Sequence, residues 1–148
     1  DRCDITLKLL DKDNNYVSNL TTSDAYTSSD LTQEQLETLW AVVMQEDGNH
    51  GYEGAMAVMT CIMNRADQNY GNHGNNPYYQ IIAPSQFCYS IDPDEGHKTW
   101  RRYLNGNVQD YIKRAVSDGL NGKRTHNYVN FRANYAEGRV QIGGNYYF

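Results

Sequence analysis

The sequence predicts a mainly α domain of the α+β kind, on three observations. Three apolar segments recur at helical spacing, short alternating segments appear only towards the C-terminus, and 148 residues with 39% hydrophobic content suffice for one core of moderate size.

Residues 1–30 are polar and rich in Ser, Thr, Asp and Asn, and only Ile5 to Leu10 offers an apolar alternation. They read as a short strand or arm followed by a linker, ahead of a domain over 31–148. The first helix is announced by Leu31-Thr32-Gln33-Glu34-Gln35-Leu36. Thr32 suits the N-cap, Gln35 the reciprocal capping-box position, and Leu31 can staple onto Leu36. Leu36, Leu39, Trp40 and Val43 form its apolar stripe, and Gly48 is placed to end it.

Three residues beyond Val43 stands Glu46, at the edge of that stripe in the last helical turn. Partial burial and the negative end of the helix dipole both raise the pKa of such a carboxyl. An acid kept protonated near neutral pH is what general-acid chemistry requires, although a Glu near a helix end is more often a solvated surface charge. Asp47 follows directly, pointing about 100° away if the helix continues. Glu53 reads as a dipole-favoured surface charge at the next helix start.

After a turn at Gly48 to Gly51, Tyr52 to Arg65 is apolar nearly all round and predicts a central buried helix. Its small residues Gly54, Ala55 and Ala57 would admit another helix at close range, the Glu46 helix being the natural partner. Residues 66–80 predict a long surface loop from their Gly, Pro and Asn content, and Asp92 to Gly96 a turn. Val108 to Leu120 predicts a third helix, with Tyr111, Ile112, Ala115, Val116 and Leu120 inward and Asn121-Gly122 as its stop. Extended segments follow at Tyr128 to Phe131, Val140 to Ile142 and Tyr146 to Phe148.

A net charge of -5 and a pI near 5.2 count against nucleic acid, which calls for a basic face. No run approaches the roughly 18 apolar residues a membrane span needs. The chain begins at Asp1, which suits a processed or trimmed chain, so the lack of a signal peptide does not argue for the cytoplasm. The 3 cysteines and 4 histidines show no metal-binding spacing. Cys61 reads as a buried thiol, and Cys3 with Cys88 is the pair to consider for a disulfide. The 13 tyrosines offer flat rings with polar tips, suited to sugar faces but common in ordinary packing as well.

Taken in order, Val43-Met44-Gln45-Glu46-Asp47-Gly48-Asn49-His50-Gly51-Tyr52-Glu53-Gly54, then Ala57-Val58 and Met63-Asn64-Arg65, resemble the opening of the SleB-type, spore-cortex-lytic cell-wall hydrolases. Gln86-Phe87, Leu120-Asn121-Gly122, Tyr128 to Asn130 and Ile142-Gly143 to Phe148 continue the likeness over about residues 33–148. The resemblance implies a lysozyme-like, lytic transglycosylase-like helical fold. It also implies cleavage of peptidoglycan between N-acetylmuramic acid and N-acetylglucosamine, with Glu46 as the essential acid and 1,6-anhydromuramoyl ends as product. No cofactor or metal is implied. The expected partner is the peptidoglycan glycan strand, the expected state a monomer, and the expected location secreted or associated with the cell wall or spore.

Two positions depart from the family pattern: His50 stands where a second Glu is usual, and Tyr146 where a His is usual. Gln86, Phe87, Tyr128, Asn130 and Tyr146 are the candidates for lining the glycan cleft, each with a core or structural hydrogen-bonding role as the alternative. Two other functions compete. One is a lysozyme-like module that binds peptidoglycan without cutting it. The other is a thiol peptidase built on Cys88 with His97 or His126, for which Cys88 lacks a context that would lower its pKa.

Overall fold

A computed structural model describes residues 31–91, 99–104 and 107–148. The arm over 1–30, Cys3, His97 and the turn expected at Asp92 to Gly96 lie outside them.

The described chain is mainly helical, with a small C-terminal sheet. Helix α1 spans Gln33–Asp47 and starts in the expected capping box, Thr32 and Gln35 bonding each other's backbone N–H at 3.1 Å. Leu39, Val42 and Val43 carry its buried stripe into the core, where Leu31 also lies and against which Leu36 and Trp40 pack. Gly48 is its C-cap, but in a right-handed conformation (φ -67°, ψ -12°) that runs on into a 3-10 turn, Gly48–His50. A Cβ there would stand 2.5 Å from Met44 Sδ, so close approach rather than a positive φ favours glycine. The left-handed residue comes later, at Gly51 (φ 65°).

Helix α2, Gly51–Asp67, is the axis of the fold and is buried from Gly54 to Ala66. Met56, Met59, Ile62 and Met63 meet α1 and helix α5 (Asp110–Leu120) in the main core. On another side, Ala57 and Cys61 meet Tyr147 of the sheet. This two-sided burial is why the segment is apolar all round; each large side chain so buried contributes about 1.5–3 kcal/mol. A close contact with α5 falls at Gly119, where a Cβ would lie 2.6 Å from Met59 Cγ. Gly54 instead faces the Asp47 carboxylate.

The stretch expected as one long loop is partly helical. A 3-10 turn at Tyr70–Asn72 precedes α3, Pro77–Ile81, whose N-cap Asn76 accepts a hydrogen bond from Tyr78 N at 2.9 Å with Pro77 in the first turn. Asn-Pro reads as loop chemistry, yet the same residues open a helix. Buried Gln80 ties the preceding turn down through Tyr70 O and Gly74 O. Helix α4, Cys88–Ile91, and a 3-10 turn, Thr99–Tyr103, follow, and the latter packs against α1.

Helix α5 begins at Asp110, two residues inside the expected start, and buries Ile112, Ala115, Val116 and Leu120 as the periodicity requires. Strands β1 (Phe131–Arg132), β2 (Val140–Ile142) and β3 (Asn145–Tyr147) form an antiparallel sheet in the order β1-β3-β2. Gly143 and Gly144 join β2 to β3 as a two-residue loop, with Ile142 opposite Asn145 and Gly143 at φ 61°. Asn130 and Phe148 exchange both backbone hydrogen bonds at 3.0 Å and lengthen the β1 side by one pair. Among the described residues no helix is long and apolar enough to cross a membrane.

Candidate active site

Glu46 lies in the last turn of α1, partly buried, and opens on a cleft of about 310 Å³. The cleft is walled by Met44 to His50, by Arg102 and Tyr103, by Ala133, and by Gly144 and Asn145 at the start of β3. Glu46 Oε2 accepts a hydrogen bond from the backbone N–H of Cys88, at the start of α4, at 2.7 Å. Burial pushes its carboxyl above the ordinary range and the Asp47 charge adds to this, while hydrogen bonds from Cys88 and the Arg65 charge act in the opposite direction. Burial is the largest of these influences, so the net shift is upward.

Asp47 is the last residue of α1, and its dihedrals are no longer helical. Its backbone turns to φ -161°, ψ 34°, which swings the carboxylate towards the β2–β3 loop instead of about 100° around the helix. There it is almost fully buried and accepts from Gly144 N at 3.0 Å and pairs with His50 Nδ1 at 2.6 Å. Both carboxylates therefore line one cleft, although helical projection from the sequence pointed them about 100° apart. Two residues, Gly48 and Asn49, separate Asp47 from His50, and this spacing, with a Gly-Gly pair far down the chain, was the available signal. Gln45 was also missed: it lines the cleft and its Oε1 is buried without a hydrogen-bond partner. Glu53 is exposed in the first turn of α2, as expected.

The other five residues expected at the cleft do not line it. Phe87 is a core residue, 1% exposed and packed 6.0 Å from the Phe131 ring, as in the core alternative named for it. Gln86 and Asn130 serve a buried clamp around Arg65. The guanidinium donates to Val129 O at 2.6 Å, Gln86 Oε1 at 2.8 Å and Asn130 Oδ1 at 3.1 Å. Beside it, Asn64 Nδ2 donates to His126 O and Tyr128 O. The Asn-Arg pair closing α2 thus holds the Tyr128–Asn130 segment in place. Tyr146 stands on the face of β3 opposite Asn145, edge-on to Tyr135 at 6.0 Å, because side chains alternate along a strand.

Cys61 is buried, with its thiol pushed up to about 12. Cys88 is a free thiol whose pKa is also raised, by burial first and then by Glu46. Neither is a ready thiolate. His126 accepts from Tyr128 N at Nδ1 (3.0 Å), so Nε2 carries the proton and donates to Ala57 O (2.8 Å). Burial lowers its pKa, and with both nitrogens engaged it holds the loop rather than serving Cys88. Among the described residues no cluster of His, Cys, Asp and Glu is arranged to hold a metal ion.

Set against protein-family models, curated proteins and solved structures, the chain matches none.

Proposed function

We propose that this chain cleaves the glycan strand of bacterial peptidoglycan between N-acetylmuramic acid and N-acetylglucosamine, with Glu46 as the general acid on a lysozyme-like frame. The observation that carries this reading is a carboxyl whose pKa burial raises and which nevertheless opens on a cleft. The Cys88 N–H holds Oε2 and with it the plane of the carboxyl.

In the proposed reaction Glu46 protonates the glycosidic oxygen as the bond to muramic C1 breaks. The carboxylate so formed takes the proton of the muramic C6 hydroxyl while that oxygen closes on C1, leaving a 1,6-anhydro end. Arg102 at the rim offers a cation to peptide carboxylates. Such an enzyme acts outside the membrane, secreted or associated with the wall or spore.

Mass spectrometry of fragments released from purified cortex and vegetative peptidoglycan tests the reading. Wild type is expected to release fragments with anhydro-muramoyl ends and Glu46→Gln none, a loss of at least about 10²-fold. Cleavage by the Gln variant would remove Glu46 from the mechanism. Binding without fragments from wild type would leave a non-catalytic peptidoglycan-binding module.

A further inference from the structure

The cleft holds a second titratable assembly that the Glu46 mechanism does not use. His50 Nδ1 lies 2.6 Å from Asp47 Oδ1, and Gly144 N–H donates to Oδ2 of the same carboxylate at 3.0 Å. A carboxylate only accepts, so in neutral His50 the proton sits on Nδ1 and the lone pair on Nε2. The Asp47 side chain is 4% exposed and that of His50 52%, which anchors one end of the pair and presents the other.

Glycines make room for it. A Cβ on Gly54 would lie 2.8 Å from Asp47 Oδ2, one on Gly144 2.7 Å from Asp47 Oδ1, and one on Gly143 would strike the same carboxylate. Two backbone segments, α2 at Gly54 and the β2–β3 loop at Gly143 and Gly144, approach the pair at distances that leave no room for a Cβ. Glu46, Asp47, Arg102 and Tyr103 are the titratable or charged groups sharing this cleft with His50. The hairpin and α2 contribute Gly143, Gly144, Asn145 and Gly54, none of which titrates.

We propose that His50, oriented by Asp47, is a second catalytic group: a base that activates water at muramic C1 and gives the enzyme a hydrolytic route beside anhydro closure. This inference rests on the glycan-cleavage reading above. Glu46 gives its proton to the glycosidic oxygen as the C1–O bond breaks. Water oxygen bonds to C1, its proton passes to His50 Nε2, and the product is a reducing muramic end. The imidazolium then releases a proton to solvent and the Glu46 carboxylate regains one. Asp47 acts through His50 and is a positioning residue.

Quantifying reducing against anhydro ends in one digest of peptidoglycan tests the proposal, because a ratio does not depend on how much enzyme is folded. Wild type is expected to yield both kinds of end, and His50→Ala to lower the reducing share about 10²-fold. An unchanged ratio in that variant, or only anhydro ends from wild type, would overturn this inference and leave Glu46 in its role. No fragments at all would overturn both. Nitrogen-15 NMR of the imidazole supplies a readout besides activity. Neutral His50 is expected as the Nδ1–H tautomer, moving towards Nε2–H in Asp47→Asn, and an Nε2–H tautomer in wild type would refute the orientation by Asp47.

Discussion

Glu46 is held where its charge is least welcome, and this has a consequence for stability. Its folded pKa lies above the ordinary value of 4.5, so between the two the folded state binds more protons than the unfolded chain. The favourable contribution of the protonated acid is complete below about 4.5 and is lost as pH rises through the raised value. Glu46→Gln keeps an acceptor for the Cys88 N–H and removes the charge. The variant is expected to be more stable than wild type above that window, by about 0.5–2 kcal/mol at neutral pH, and indistinguishable from it at the acid end. Urea titrations at several pH values measure the difference. The same logic places the acid form, and with it the proposed cleavage, on the low-pH side of the raised value.

Two small elements hold the C-terminal segments against α1 and α2. The Arg65 clamp at the end of α2 satisfies acceptors from residues 86, 129 and 130 and sets its guanidinium 4.6 Å over the Tyr70 ring and 4.9 Å over that of Phe87. Arg65→Met would fill much of the volume but strand those acceptors. It is expected to cost about 2–4 kcal/mol, read as a lower urea midpoint with an unchanged slope. The β2–β3 loop is the second element. Gly143→Ala forces a side chain into a left-handed conformation and against the Asp47 carboxylate. A loss of about 1–3 kcal/mol is expected, with shifted NMR resonances at His50 although residue 143 is distant from it in sequence.

For the whole molecule, α2 is shared: helices pack on one side of it and the sheet on another. A structure organised around one buried helix should not lose its sheet and its helices separately. Far-ultraviolet circular dichroism and tryptophan fluorescence are expected to report one coincident transition in denaturant. Trp40 lies under Lys113 of α5, and Trp100 stacks on Tyr89 at 4.7 Å, so the two indoles sample different parts of the fold. Separate midpoints would refute the single cooperative unit.

Hydrophobic periodicity and local end signals determined the mainly helical class, the Thr32 cap, the buried α2, the inward face of α5 and the extended C-terminus, because each depends on neighbours within one or two turns. The same reach put Glu46 at the edge of a buried stripe. Helix α3 was hidden, because Asn76-Pro77 carries the same chemistry in a turn as in a helix cap. Tertiary structure alone decided the rest of the site. The backbone leaves the helix at Asp47, a glycine loop nearly a hundred residues later receives the carboxylate, and His50 takes its orientation from that meeting. Phe87, Gln86 and Asn130 were drawn into the core and the Arg65 clamp for the same reason: whether a polar or aromatic side chain meets solvent or protein depends on which distant segments close over it.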